Sequence, residues 1–269
     1  MTGRRGATGL AGVLPVDKPA GMTSHDVVAA IRRATGEGRV GHAGTLDPLA
    51  TGLLVVLVGP YTRLEPYLSG ATKTYEARIA FGSETDTDDA EGATVSIEPV
   101  PDELFDAHRA QSALDAFLGE GMQTPPTYSA IKVDGRVAHR AARSGEALAL
   151  QPRAVSVEVA ELWAMDARAR TWDVLFSVSK GTYVRALARD IGRACGTAAH
   201  LTALRRTESG FLHIDQAHAL ERVLDASVSG TLPELFADPA ASLGLPVVEG
   251  DPVALAAGSP MPGGLAPWA

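Results

Sequence analysis

A single cysteine, Cys195, occurs in the 269 residues, so no intrachain disulfide can form and no cysteine cluster can hold a metal. Cys195 itself reads as a small buried hydrophobe near a helix end. Long apolar runs are equally scarce. The longest candidate, Leu53-Leu54-Val55-Val56-Leu57-Val58, falls far short of the roughly 20 residues that a membrane helix needs. Met1-Thr2-Gly3-Arg4-Arg5 is followed by neither an apolar stretch nor a cleavage site, so no secretory signal is expected. A cytoplasmic protein without membrane contact is the expectation. The seven histidines include no His-x-x-x-His pair, which leaves a catalytic zinc site, and with it the zinc-dependent base deaminases, without a basis.

Other motifs fail in informative ways. Gly36 and Gly41 have phosphate-loop spacing, but His42 and Ala43 stand where that motif requires Lys and Ser or Thr. Asp86-Thr87-Asp88-Asp89-Ala90-Glu91 is like a calcium loop in its first acids only: Ala90 replaces a ligand, Glu91 the obligatory glycine and Ile97 the closing glutamate.

What is present is a folded-protein composition, 45% hydrophobic and 21% charged, with an uneven charge distribution behind a net charge of −8. Residues 84 to 106 hold nine acids and no Lys or Arg. Residues 132 to 153 have a local balance of +3, and residues 180 to 206 one of +5. One acidic segment therefore masks two basic ones, each a solvated face or a phosphate-binding surface.

Along the chain, Gly12 to Val16 reads as a short strand closed by the turn Lys18-Pro19-Ala20-Gly21. A helix follows from Ser24 as N-cap, with Val27, Val28 and Ile31 on one face. Gly36 to Gly52 reads as a long loop with five glycines, a length uncommon in a folded domain unless the loop has a function. Leu53 to Val58 suits a strand buried on both faces, and Thr72 to Phe81 alternates. After a short helix at Leu64 and Leu68 and the acidic stretch, read as a loop, come a helix at 104–118 and a Pro-, Gly- and charge-rich projecting insertion at 119–152. Strands at 155–159 and 172–178 and helices at 186–194 and 217–224 complete the pattern.

Asp47 stands before Pro48 in the long loop, just ahead of the buried strand. Proline restricts it to extended geometry, and the strand offers a rigid mount for its carboxylate. An Asx-turn, in which the side chain caps the loop, is the competing reading.

Gly41-His42-Ala43-Gly44-Thr45-Leu46-Asp47-Pro48-Leu49-Ala50-Thr51-Gly52-Leu53-Leu54 closely resembles the signature of the TruB family of tRNA pseudouridine synthases. The likeness extends through Asp17-Lys18-Pro19, Lys73-Thr74-Tyr75, Thr85-Asp86-Thr87-Asp88 and Pro126-Thr127-Tyr128-Ser129-Ala130-Ile131-Lys132. It continues in Ser179-Lys180-Gly181-Thr182-Tyr183-Val184-Arg185 and Leu204-Arg205-Arg206-Thr207, so that it covers roughly residues 12 to 215. The resemblance implies an α+β pseudouridine synthase fold: a mixed, largely antiparallel central sheet flanked by helices, with a projecting insertion and a short C-terminal appendage. It implies a catalytic domain over 1–215, with an RNA-binding insertion at about 120–152. A linker helix and an incomplete PUA-like region over 216–269 would follow. The implied substrate is the T-loop uridine of tRNA, U55, and no cofactor is implied, because isomerisation is redox-neutral and adds no group.

By that resemblance Asp47 is the catalytic carboxylate, attacking C1′ or removing the C2′ proton, and Arg185 is its cationic partner. Tyr75 stacks on the base and brings a hydroxyl near C5, and Leu204 packs the other side. His42 enters the T-loop where the flipped base was. Tyr183, two residues from Arg185 on a segment read as extended, faces the same pocket. Lys18 belongs to the substrate-binding set, and Lys132, Arg136, Arg140 and Arg143 are candidate phosphate contacts. No obligatory protein partner is implied. Leu243 to Gly258 resembles the beginning of the C-terminal RNA-binding domain. Two rival functions are a catalytically silent tRNA-binding folding chaperone, against which the retention of Asp47, Tyr75 and Arg185 together speaks, and an aspartyl-phosphate phosphatase with Asp47 as nucleophile, whose expected second Asp is Leu49 here.

Overall fold

The computed structural model describes residues 8–245 other than 134, 145 and 147, and the side chains of Lys132, Val137, His139 and Arg143 also lie outside the described set. The candidate phosphate contacts Lys132 and Arg143, and the stretch from 246 onwards read as PUA-like, therefore fall outside what is described here.

In chain order the elements begin with β1 (Gly12–Lys18), α1 (Ser24–Thr35), β2 (Val40–His42), β3 (Thr51–Val58), α2 (Glu65–Ser69) and β4 (Lys73–Phe81). The acidic segment contributes β5 (Ser83–Thr85) and β6 (Thr94–Ile97), followed by α3 (Ala107–Asp115) and β7 (Gly119–Gln123). The insertion holds β8 (Lys132–Val133), β9 (Arg136–Val137) and α4 (Ala138–Arg143). Then come β10 (Arg153–Asp166), β11 (Thr171–Val178), α5 (Val184–Ala194), β12 (Ala199–Ser209), β13 (Leu212–His213), β14 (His218–Ala219), α6 (Leu220–Ser229) and α7 (Pro239–Ser242).

The main sheet runs β14-β1-β3-β12-β4-β11-β10-β7, with β2 added to β3 and β13 to β12. Only β1–β14 and β3–β12 pair in parallel; the other pairs are antiparallel, as the expected mixed sheet requires. Central position explains the run 53–58, every residue of which is buried, whereas β11 alternates buried and half-buried positions. Trp172 and Phe176 of β11 fill the core under α3 and α5, with the Trp172 indole donating to the Leu104 carbonyl at 3.0 Å.

Three local expectations need correction. Thr23, not Ser24, caps α1: its hydroxyl accepts from the Asp26 amide and the Asp26 carboxylate accepts from the Thr23 amide, a reciprocal capping box. The loop 36–52 is interrupted by β2, which pairs with the far end of β3. The acidic segment is not all loop, since β5 and β6 form a hairpin.

Strand β12 carries no apolar pattern that announces it, yet it lies at the centre of the sheet between β3 and β4. Its close approach to β3 depends on Gly52, where a Cβ would meet the Arg206 carbonyl oxygen at 2.3 Å. Gly52 also has φ +96°, so a side chain there would be strained as well as obstructed.

Candidate active site

The loop between β2 and β3 is clamped at several points, and the clamps fix Asp47. Ser24, buried in the first turn of α1, donates to the Leu46 carbonyl at 3.0 Å and accepts from the Leu46 amide at 2.8 Å. The Pro48 carbonyl receives the Gly21 amide at 2.8 Å. Arg206 grips both ends of the loop, donating from Nε to the Leu53 carbonyl at 2.7 Å and from Nη2 to the Gly44 carbonyl at 3.1 Å.

Held in this way, the Asp47 side chain lines a cavity of about 620 Å³ rather than folding back on its own backbone. No backbone amide among the described residues donates to the Asp47 carboxylate, which removes the Asx-turn reading. Its Oδ2 lies 2.9 Å from Arg185 Nε, off the N–H direction, so the contact is an ion pair without hydrogen-bond alignment. Arg185 is 5% exposed and spends its other donors on the fold: Nη1 to the Thr87 carbonyl at 2.8 Å and Nη2 to the Tyr128 carbonyl at 3.1 Å. Buried Asp89 stands behind it, 3.5 Å from Nη1. The Asp89 carboxylate is itself oriented by the Thr87 hydroxyl at 2.6 Å and the Glu91 amide at 3.0 Å.

Tyr75, Tyr183, Leu204 and His42 line the same cavity, so the structure brings together six of the residues singled out by sequence. Tyr75 is the register partner of Arg206, whose guanidinium lies 6.0 Å from the ring centroid. Tyr183 caps α5 while Arg185 is already helical, so it is the start of a helix and not strand alternation that turns both towards the cavity. Gln123 ties that start to β7, accepting the Tyr183 amide at 2.9 Å and donating to the Tyr183 carbonyl at 3.1 Å. Burial pushes the Tyr183 phenol up, against the effect of its hydrogen bond with Ser129. Burial, reinforced by Arg206, pushes the His42 imidazole below its ordinary value. Both effects favour the uncharged ring.

Lys18 does not join them. It is fully buried beneath the loop and absent from the cavity lining, its ammonium donating to the carbonyls of Pro19 at 2.8 Å, Met22 at 2.6 Å and Pro48 at 3.4 Å. Burial pushes it down to about 8, against the attraction of Asp47 and Glu91. Lys18 thus supports the Asp47 loop from below. Lys18→Met should lower unfolding free energy by about 2–4 kcal/mol, because it leaves buried carbonyls without donors. Urea unfolding measures this. An unchanged midpoint combined with weaker RNA binding would return Lys18 to the substrate-binding set.

The second basic segment is not a phosphate-binding face as a whole. Arg185, Arg189 and Arg193 project from one side of α5 at four-residue spacing and meet acids of the segment 84–89. Arg189 pairs with Asp88 at 2.7 Å and Arg193 with Glu84 at 2.7 Å, just as Arg185 faces Asp89. Burial still pushes the Asp88 carboxyl up to about 6, opposed by Arg189 and Arg185. Arg205 pairs with Asp17 at 2.8 Å. The acidic segment thus neutralises the three arginines of α5 instead of masking them, while Arg205 is paired from β1. In the insertion, Arg136 pairs with Glu146, and Arg140 is exposed on α4. Sequence reasoning also passed over Asp89, Ser24, Lys73, Lys180 and Arg206, of which the three cations stood inside quoted motif blocks.

A family model described as TruB family pseudouridylate synthase, N-terminal domain, matches residues 32–184, and one described as tRNA pseudouridylate synthase B C-terminal domain matches 185–235. The chain belongs to the TruB family of pseudouridylate synthases. It is accordingly an isomerase, and the phosphatase reading falls. The tRNA pseudouridine synthase B of Arthrobacter sp. strain FB24 is 48% identical over 220 residues, which are 80% of this chain and 71% of that protein. The Opitutus terrae protein of the same name is 45% identical over 226 residues, covering 84% of this chain and 90% of that one. Among solved structures, a Cbf5-Nop10-Gar1 complex matches with TM-score 0.70 and 28% identity over 91% of this chain. This chain spans 66% of that matched chain, just under two thirds. A structure titled as an H/ACA RNP bound to a substrate RNA containing 2'-deoxyuridine matches with TM-score 0.60 at 26% identity. Among the described residues of this synthase, no helix is long and apolar enough to cross a membrane.

Proposed function

We propose that this synthase converts the T-loop uridine of tRNA, U55, to pseudouridine in the cytoplasm, with Asp47 as the catalytic carboxylate. The observation that carries the reading is the Asp47–Arg185 ion pair, set in a cavity whose walls include two tyrosines and an apolar residue. A uridine in a folded T-loop is out of reach until it is extruded, and a cavity of about 620 Å³ accommodates one nucleoside. Tyr75 and Leu204 take the base between them, and His42, which lines the same cavity, occupies the gap in the loop.

Asp47 then acts on the ribose, at C1′ as nucleophile or at the C2′ proton as base. The N1–C1′ bond breaks, the uracil turns within the cavity and C5 bonds to C1′, displacing the carboxylate in the first route and with the C2′ proton returned in the second; C5 then gives up its proton and N1 takes one up, so nothing is added or lost overall. Arg185 sets a positive charge beside the carboxylate without holding it in an aligned hydrogen bond, which leaves its lone pairs available to the ribose. The insertion, with Arg140 exposed, closes over the RNA in this reading, and the catalytic domain extends to about residue 215.

The test is tritium release from a T-arm stem-loop labelled at C5 of its uridines. Release equivalent to one uridine per RNA, lost when U55 is replaced by cytidine, is the expected result. Tight binding without release would favour the folding-chaperone reading.

A further inference from the structure

One wall of the active-site cavity carries three cations that the scheme above leaves unused: Lys73, Lys180 and Arg206. Arg206 has no exposed surface, and its Nη1 has no hydrogen-bond partner among the described residues. Lys73, 7% exposed, donates to the carbonyls of Ser69 at 3.0 Å and Ala71 at 2.6 Å, which leaves one of its three N–H groups free for a further acceptor. Lys180 is exposed at the mouth, its ammonium 3.4 Å from the Ser69 hydroxyl.

These groups are close together. A Cβ placed on Gly44, three residues before Asp47, would lie 3.2 Å from Lys73 Cε and 3.4 Å from Arg206 Nη1. Burial, then Arg206 and then Lys180 push the Lys73 ammonium down to about 8, so mutual repulsion adds to desolvation. Glu65 and Glu91 also line the cavity, yet among the described residues no carboxylate comes within 4.0 Å of any of the three cations. The contrast is with Arg185 and Arg189, equally buried, each of which has its acids. Buried cations without counter-ions are costly to maintain, and an anionic ligand relieves the cost.

We infer that Lys73, Lys180 and Arg206 form a phosphodiester subsite for the RNA linkage immediately 5′ or 3′ of the target uridine. Lys180 and the third N–H of Lys73 make the contacts, and Arg206 supplies charge from behind while it clamps the catalytic loop. The subsite lies beside Gly44, so the phosphate that fills it sets the distance between the attached ribose and Asp47. This inference rests on the proposal that the substrate is an RNA uridine.

The experiment uses T-arm stem-loops carrying a single neutral methylphosphonate linkage, either 5′ or 3′ of the target uridine, with wild type and with Lys180→Ala. Lys180 is exposed, so this variant retains the fold; Lys73→Met is run beside it, with melting curves for both. One of the two neutral linkages should weaken wild-type binding about tenfold, and Lys180→Ala should weaken binding of the unmodified RNA similarly, by roughly one phosphate contact. Combined, the two changes should cost little more than either alone. Additive losses, or no loss with either neutral linkage, overturn the subsite. Tritium release from the unmodified stem-loop by wild type is recorded in the same series. Release together with additive losses sinks the subsite only; binding without release sinks the proposed reaction only; and no binding of the unmodified RNA sinks both.

Discussion

Asp47→Asn should reduce single-turnover pseudouridine formation by about 10⁴-fold or more, the scale on which removal of an essential catalytic group acts, while the dissociation constant for the stem-loop stays within about threefold. The amide has the shape of the carboxylate but can neither attack C1′ nor accept the C2′ proton. The surroundings permit so clean a separation. Among the described residues the Asp47 side chain contributes no hydrogen bond to its own loop, whose geometry is fixed by Ser24, Gly21, Lys18 and Arg206. Its partner Arg185 remains anchored to two carbonyls and faces Asp89. The melting temperature should therefore barely move. A rate within tenfold of wild type would remove Asp47 from the chemistry and transfer attention to Asp89.

Much of this site was legible because its residues sit where local sequence rules apply. Asp47 precedes a proline just ahead of the apolar run 53–58 of β3, and Tyr75 falls on the buried face of an alternating strand. Legibility stopped where the determining partners are distant in sequence. Asp89 is one of nine acids in a segment that reads as solvated, and only its position 3.5 Å from Arg185, 96 residues away, distinguishes it. The local charge balances failed for the same reason. They group charges by proximity along the chain, whereas α5 pairs its arginines across roughly a hundred residues. Strand β12 was hidden by Arg205 and Arg206, since a buried arginine in a central strand breaks the apolar pattern that identifies such strands. Lys18 illustrates the converse error: a lysine in a family motif looks like a ligand-binding cation until its ammonium is found facing three carbonyls of its own fold.

Arg185→Met should lower kcat by about 10³-fold, the cost of losing a key electrostatic partner, and unfolding free energy by about 3–5 kcal/mol, since the change leaves a buried charge uncompensated. The two losses have different origins and can be separated. Activity falls because Asp47 loses the cation 2.9 Å from its Oδ2. Stability falls because Asp89, 3% exposed, would be left in the interior without the guanidinium opposite it, and the Thr87 and Tyr128 carbonyls would lose their donors. Adding Asp89→Asn to Arg185→Met removes the stranded charge, so the double variant should recover a large part of the lost stability and none of the lost rate. Arg185→Lys restores the charge but not the fork that reaches two carbonyls and Asp47 together, and should regain stability only partly, with kcat still at least about tenfold down. Calorimetric melting and single-turnover tritium release on the four proteins measure both effects. If Arg185→Met turns over like wild type, the ion pair is structural only. If Asp89→Asn adds to the instability, then Asp89 is held by its Thr87 and Glu91 hydrogen bonds more than by Arg185, and the charge argument for this cluster fails.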